Sequence, residues 1–309
     1  MPLHPQVKKA LDAMTAAGPP LHHLSPQEAR KAILAMRATT GEPEPVGKVE
    51  DRTFHGPGGQ LPVRIYTPNG RGPFPVLVYF HGGGWVVGAI DTVDASCRAL
   101  TNLAECIVVS SGYRLAPENK FPAAAEDAYA ALQWVALHVS SFYGDPSRLA
   151  VGGESAGANL AAAAAIMAQE RGTPSLALQL LLYPVLNYAF DTPSCKENAE
   201  GYFLTTEMMQ WFWKHYLNTD ADGQNPYASP LQVKRIKGIA PAAIFTAEFD
   251  PLRDDGAAYA AKLREGGVPV QYKCQEGLIH GYMGMAHAVD PAKKARDDAA
   301  AALRAAFAK

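Results

Sequence analysis

The sequence predicts an α/β fold: an eight-stranded, mostly parallel mixed sheet with helices on both faces. Three observations carry that expectation. Short β-branched or leucine-rich runs alternate with helix-length segments through most of the 309 residues. A lone serine, Ser155, stands between Gly153 and Gly157 where an apolar run gives way to an alanine-rich helix former. A triple-glycine stretch, "HGGGW" at 81–85, follows another apolar run.

Strands are expected near 47–55, 61–67, 75–80, 105–110, 148–152, 177–183, 242–247 and 269–274. The first two flank "GPGGQ", a turn suited to an antiparallel hairpin. Later strands are separated by helix-length segments, as right-handed crossovers require. "FPAAAEDAYAALQWVALHV" is one such helix and "PAKKARDDAAAALRAAFAK" is the last. Two segments break the alternation. Residues 1–45 read as two helices, the second opened by Ser25-Pro26-Gln27-Glu28 as a capping box and closed at Gly41. Ala10, Leu11, Met14, Ile33 and Met36 lie at helical spacings, so each helix should bury one face. The expected partner is the other segment, an insertion at about 187–230. Its helix "TTEMMQWFWKHYL" offers Met208, Met209, Trp211, Phe212, Trp213 and Tyr216 for a pocket wall, although the same spacing suits ordinary packing. Both segments are read as a helical cap on one domain covering 1–309.

Composition excludes several classes. Hydrophobic residues make up 48% and charged residues 19%, the balance of an ordinary globular chain. A net charge of −2 supplies no field to recruit nucleic acid or an anionic membrane. No apolar run approaches the ~20 residues of a membrane span, and the opening residues lack a secretory h-region. Cys97, Cys106, Cys195 and Cys274 lie far apart without a CxxC pair. No cluster of His, Cys and carboxylates shows metal-ligand spacing, so neither metal nor cofactor is expected. The expectation is a reduced, cytoplasmic enzyme; a homodimer is left open.

"VGGESAGANL" at 151–160 matches G-x-S-x-G at a strand-to-helix turn, where a nucleophilic serine is held out on a strained elbow. A plain helix N-cap is the competing role for Ser155. In "VLVYFHGGGWVVG" the glycines free backbone N–H groups that could hold an oxyanion, and no G-x-G-x-x-G or GK[ST] argues for phosphate. A serine nucleophile needs a base and the base an orienting acid, in the chain order Ser, Asp/Glu, His. Asp250, in "AEFDPLRDD", and His280, in "CQEGLIHGYMG", fall at strand ends in that order. Asp254 and Asp255 compete for the acid but read as helix caps, and His287 competes for the base but lies further from its strand.

Together "HGGGW" at 81–85, "YRLAPE" at 113–118, "GDPSRLAVGGESAGANL" at 144–160, "DPL" at 250–252 and "HG" at 280–281 resemble the hormone-sensitive-lipase-like carboxylesterases of bacteria and archaea, a family of α/β-hydrolases. The resemblance implies Ser155 as nucleophile, His280 as general base and acid, and Asp250 as its orienting partner. It implies oxyanion donors at the N–H groups of Gly83, Gly84 and Ala156, with His81 shaping the loop. Tyr113 and Arg114 are expected to be structural. Glu154 departs from the family's usual aspartate or threonine, and Ala158 from a common glycine. The expected reaction is hydrolysis of a short-to-medium acyl, small-molecule ester without a cofactor. An amidase or arylformamidase with the same triad is the alternative, and a non-catalytic receptor on this scaffold is a remote one.

Overall fold

The computed structural model describes residues 2–36 and 43–309; Gly41, read as a helix terminator, lies outside them. Helices α1 (Pro5–Ala16) and α2 (Pro26–Met36) precede the sheet. Strands β1 (Lys48–Gly56) and β2 (Gly59–Thr67) form the antiparallel hairpin, followed by β3 (Phe74–Phe80), α3 (Asp94–Ala104), β4 (Ile107–Ser111) and α4 (Ala123–His138). Then come β5 (Gly144–Glu154), α5 (Ala156–Arg171), β6 (Leu178–Leu182), the short α6 (Pro193–Glu197) and α7 (Thr206–Tyr216). The chain closes with β7 (Ala242–Phe249), α8 (Arg253–Glu265), β8 (Val270–Ile279) and α9 (Asp290–Phe307). The eight strands make one sheet in the order β1-β2-β4-β3-β5-β6-β7-β8. Every pairing from β4 to β8 along that order is parallel, and β2 is antiparallel to both neighbours.

Each face of the sheet has its own apolar layer. One packs against α4, α5 and α8, the other against α3 and α9. Helix α5 is buried on nearly every side from Ala156 to Ala168, and its run of alanines suits a helix enclosed by protein all round.

Register sets the position of the site. Phe80 of β3 lies beside Gly153 of β5, so the glycine loop and the Ser155 turn leave the sheet side by side. Phe249 of β7 lies beside Ile279 of β8, so the next residue on each strand, Asp250 and His280, emerges next to the other. The sequence places the end of β8 near 274, yet the strand runs to Ile279. Its register shifts between Ala247 and Phe249, and Gly277 adopts φ 70°, so a glycine that reads as a breaker instead lets the strand continue.

The capping box of α2 is present: Glu28 N–H donates to Ser25 Oγ at 3.3 Å and Ser25 N–H donates to Glu28 Oε2 at 2.9 Å. The two N-terminal helices are anchored on elements of the sheet and its loops. His4 N–H donates to the Gly277 carbonyl at 3.2 Å and Gln6 bonds Asp290, so α1 docks on the end of β8 and the start of α9. Helix α2 is held by Arg30, which donates to the carbonyls of Val86 and Ala116 at 2.8 Å each and pairs with Glu118. The turn between the two helices, residues 21–23, meets α7 of the insertion. Amphipathic spacing shows that a face is buried but not against what.

Candidate active site

The turn from β5 into α5 is tight at every atom. A Cβ on Gly157 would stand 2.0 Å from the Phe80 carbonyl oxygen, and one on Gly153 2.5 Å from Gly157 itself, so only glycine lets the two strand ends and the helix meet. Ser155, between them, is forced to φ 55°, ψ −122°, a conformation that side-chain-bearing residues rarely hold. Its hydroxyl does not cap α5. It donates instead to His280 Nε2 at 2.8 Å, and His280 Nδ1–H donates to Asp250 Oδ2 at 2.8 Å. An ionised carboxylate only accepts, so Asp250 sets the tautomer and leaves the lone pair of Nε2 facing the serine. Asp250 is fully buried, and its other oxygen accepts from Leu252 N–H at 2.9 Å.

The rival residues are engaged elsewhere. Asp254 accepts from Ser194 N–H at 2.8 Å and pairs with Arg253. Asp255 accepts from the N–H groups of Leu186 and Asn187 at 3.2 Å, tying α8 to the strand end after β6. It stands in the first turn of α8, where the sequence places a cap, and its buried carboxylate ties that turn to the chain after β6. His287 is exposed and bonds the Gly284 carbonyl.

Opposite Ser155 lies the glycine loop. Gly83 and Gly84 hold φ 115° and φ 56°, and a Cβ would lie 2.2 Å from Val87 O at the first and 2.1 Å from the Phe212 ring at the second. Gly82 closes on the elbow itself, its Cβ position 3.3 Å from Ser155 Cβ. Ala156 opens α5, where a backbone N–H has no carbonyl within the helix to bond. The loop is braced from behind. His81 Nδ1–H donates to the Gly82 carbonyl at 2.7 Å, Tyr113 hydroxyl donates to the His81 carbonyl at 2.9 Å, and the two rings stack at 4.3 Å. Burial pushes the His81 imidazole down to about 4, which keeps it neutral near pH 7. Arg114 pairs with the buried Asp127 through two contacts of 2.8 Å, one from Nε and one from Nη2.

Two neighbours of the site, Tyr79 and Tyr183, escaped the sequence reading. Glu154 Oε2 accepts from the hydroxyls of Tyr79 at 3.1 Å and Tyr183 at 3.2 Å, and the Tyr183 ring packs edge-on against His280 at 4.8 Å. Burial raises the Glu154 carboxyl above its ordinary value, while the two tyrosine donors work against that shift. Nothing in the local sequence marks Tyr183 as a neighbour of His280; its φ of 37° is the structural signal of a constrained site residue.

The serine opens into an apolar cavity of about 690 Å³. Met208, Met209, Phe212 and Trp213 of α7 form one wall, and Ala10 and Met14 of α1 contribute to another. Of the other aromatic candidates, Tyr216 is buried flat on Trp85 at 4.1 Å, and Trp211 packs on Phe212 and His215. Among the described residues no helix is long and apolar enough to cross a membrane.

The fold, the elbow and the loop define an α/β-hydrolase, and the comparisons agree. Residues 77–284 match a family described as alpha/beta hydrolase fold. The chain is 44% identical to the carboxylic ester hydrolase LipN of Mycobacterium tuberculosis over 77% of this chain, spanning 65% of LipN's length. It is 40% identical to the carboxylesterase NlhH of the same species over 91% of this chain and 89% of NlhH. An ester hydrolase from the Lake Arreo metagenome superposes with a TM-score of 0.95 at 39% identity, covering 99% of this chain and 100% of its own. The chain belongs to the hormone-sensitive-lipase-like family of α/β-hydrolases and is a carboxylic ester hydrolase.

Proposed function

We propose that the protein hydrolyses small-molecule esters with short-to-medium acyl chains through an acyl-enzyme on Ser155. The observation that carries this reading is the 2.8 Å contact from Ser155 Oγ to His280 Nε2, made by a serine that heads a helix without capping it. Attack of Oγ on the ester carbonyl sends the hydroxyl proton to His280 Nε2, and Asp250 holds the resulting imidazolium. The tetrahedral oxyanion is received by the N–H groups of Gly83, Gly84 and Ala156, each such donor worth roughly 2.7–4 kcal/mol in a preorganised site. His280 then returns the proton to the departing alcohol and draws one from water, which frees the acid and restores Ser155. The wall from α1 and the wall from α7 act together as a cap on a single domain, and the cavity they line supports an acyl chain of modest length.

A series of p-nitrophenyl esters from acetate to laurate, run beside the matching anilides, tests the reading. Turnover is expected to peak among the short and middle esters and to be far slower on anilides. Anilide turnover equal to or above ester turnover would replace the esterase reading with the amidase one.

A further inference from the structure

We propose that His22, His23 and Glu207 form a divalent-metal site of the zinc class that fastens the N-terminal segment to α7 beside the cavity. The two histidines share the single turn Leu21–His23, and Glu207 stands in the first turn of α7. One potential ligand atom from each residue lies within 4.8 Å of the other two. His22 Nε2 is already 3.2 Å from Glu207 Oε2, and the two imidazoles meet edge to face with centroids 4.5 Å apart.

The donor set selects the ion. Two imidazole nitrogens and one carboxylate oxygen suit zinc, and also nickel or copper, whereas magnesium and calcium want oxygen. With bonds of 2.0–2.2 Å, tetrahedral zinc needs its ligand atoms about 3.4 Å apart. The pair of His22 Nε2 and Glu207 Oε2 already meets that spacing, and the widest separation in the trio exceeds it by at most about 1.4 Å. His23 and Glu207 are the exposed members and have room to move, while the His22 side chain is only 7% exposed. Without an ion, Glu207 at 73% exposed gains little from its contact with His22. The site fell outside the sequence reading because its third ligand comes from the far side of the chain, and no spacing rule links it to the "HH" pair.

The consequence reaches the substrate cavity. Leu21 precedes His22 and Met208 follows Glu207, and both line that cavity. A bound ion would join the two walls at this point and stabilise the folded form by mass action.

The test uses the full chain free of any affinity tag, stripped with chelator and titrated with zinc by calorimetry and thermal unfolding. One zinc per chain and a rise in Tm are expected for the wild type, with no response to magnesium. His23→Ala and Glu207→Gln alter exposed side chains outside the triad, so both should fold and keep esterase activity without metal. Each should weaken zinc binding more than tenfold and abolish the Tm rise. Absence of binding in the wild type, or binding in both variants as tight as in the wild type, would overturn the proposal, since the ion would then be nowhere or elsewhere. Neither readout depends on the catalytic roles given to Ser155, Asp250 and His280.

Discussion

The two sides of the cavity are built on opposite principles. Along the sheet edge, polar groups are buried, bonded at 2.8 Å and held by backbone in uncommon conformations at Ser155, Gly83, Gly84 and Tyr183. The facing walls are apolar side chains of α1 and α7, several of them methionines, which refill space easily. Developing charge is best stabilised by groups that need not reorganise, whereas a surface that receives varied acyl groups gains from being adaptable. The difference implies that substitutions on the edge should change turnover, and substitutions on the wall should change which ester is preferred.

The largest effect is expected at Ser155. Ser155→Ala should fold, since it relieves a side chain of its only role, and should lose roughly 10⁴–10⁶ in kcat. Retention of a tenth of wild-type turnover would remove the serine from the chemistry and with it the contrast between edge and wall.

Next comes the orienting acid. Asp250→Asn should cost about 10⁴ in turnover, because an amide can donate to Nδ1 and favour the wrong tautomer. Asp254→Asn should leave turnover nearly unchanged, its carboxylate being committed to Ser194 and Arg253. The reverse ranking in matched kinetic assays would assign the orienting role to the other carboxylate.

What the chain discloses without its structure follows the same divide. The elbow and the glycine loop are local: a few neighbouring residues must be small because backbone, or at Gly84 the Phe212 ring, stands where a Cβ would go, and the glycines at 83, 84, 153 and 157 say so directly. Asp250 and His280 are legible through chain order and strand ends, and the pairing of Phe249 with Ile279 is the physical reason that order works. Contacts between distant elements leave no local trace. The docking of α1 on Gly277, the tyrosines around Glu154, and the tie from Asp255 to Leu186 all depend on which surfaces the sheet brings together. Pocket walls are intermediate: the apolar face of α7 is visible, but the burial of Tyr216 on Trp85 is not.

A wall residue sharpens the contrast. Met14 of α1 lines the cavity and is partly exposed, so Met14→Ala carries little risk to the fold. For each methylene of the acyl chain left uncovered, binding should weaken by about 0.8 kcal/mol. KM for octanoate relative to acetate should therefore rise roughly three- to tenfold, with kcat on acetate unchanged, given that same burial energy. An unmoved ratio across the ester series would put α1 beyond the reach of the acyl chain.

The smallest effect on turnover is expected at Asp255, where the edge is tied to its support and the consequence lies in stability. Burial pushes this carboxyl up to about 7, with the nearby Asp250 and Asp254 adding to the rise and the Leu186 and Asn187 N–H groups opposing it. An unfolded aspartate titrates near 3.9. Between about pH 4 and pH 7 the folded chain therefore holds a proton that the unfolded chain has lost, and stability must fall as pH rises through that window. Above pH 7 the loss is complete, and below pH 4 it is absent. Asp255→Asn removes the titration while its carbonyl oxygen can still accept from Leu186 and Asn187. Denaturant unfolding of the two proteins from pH 4 to pH 8 should show the variant gaining on the wild type as pH rises, then holding a constant lead. The full linkage corresponds to a few kcal/mol at about 1.4 per pKa unit, an upper bound because water and neighbouring groups adjust. Esterase activity should stay within about twofold, since neither backbone tie is lost. Parallel stability curves across the whole range would mean that Asp255 ionises as easily in the fold as out of it, and that this part of the edge is not held by a buried acid.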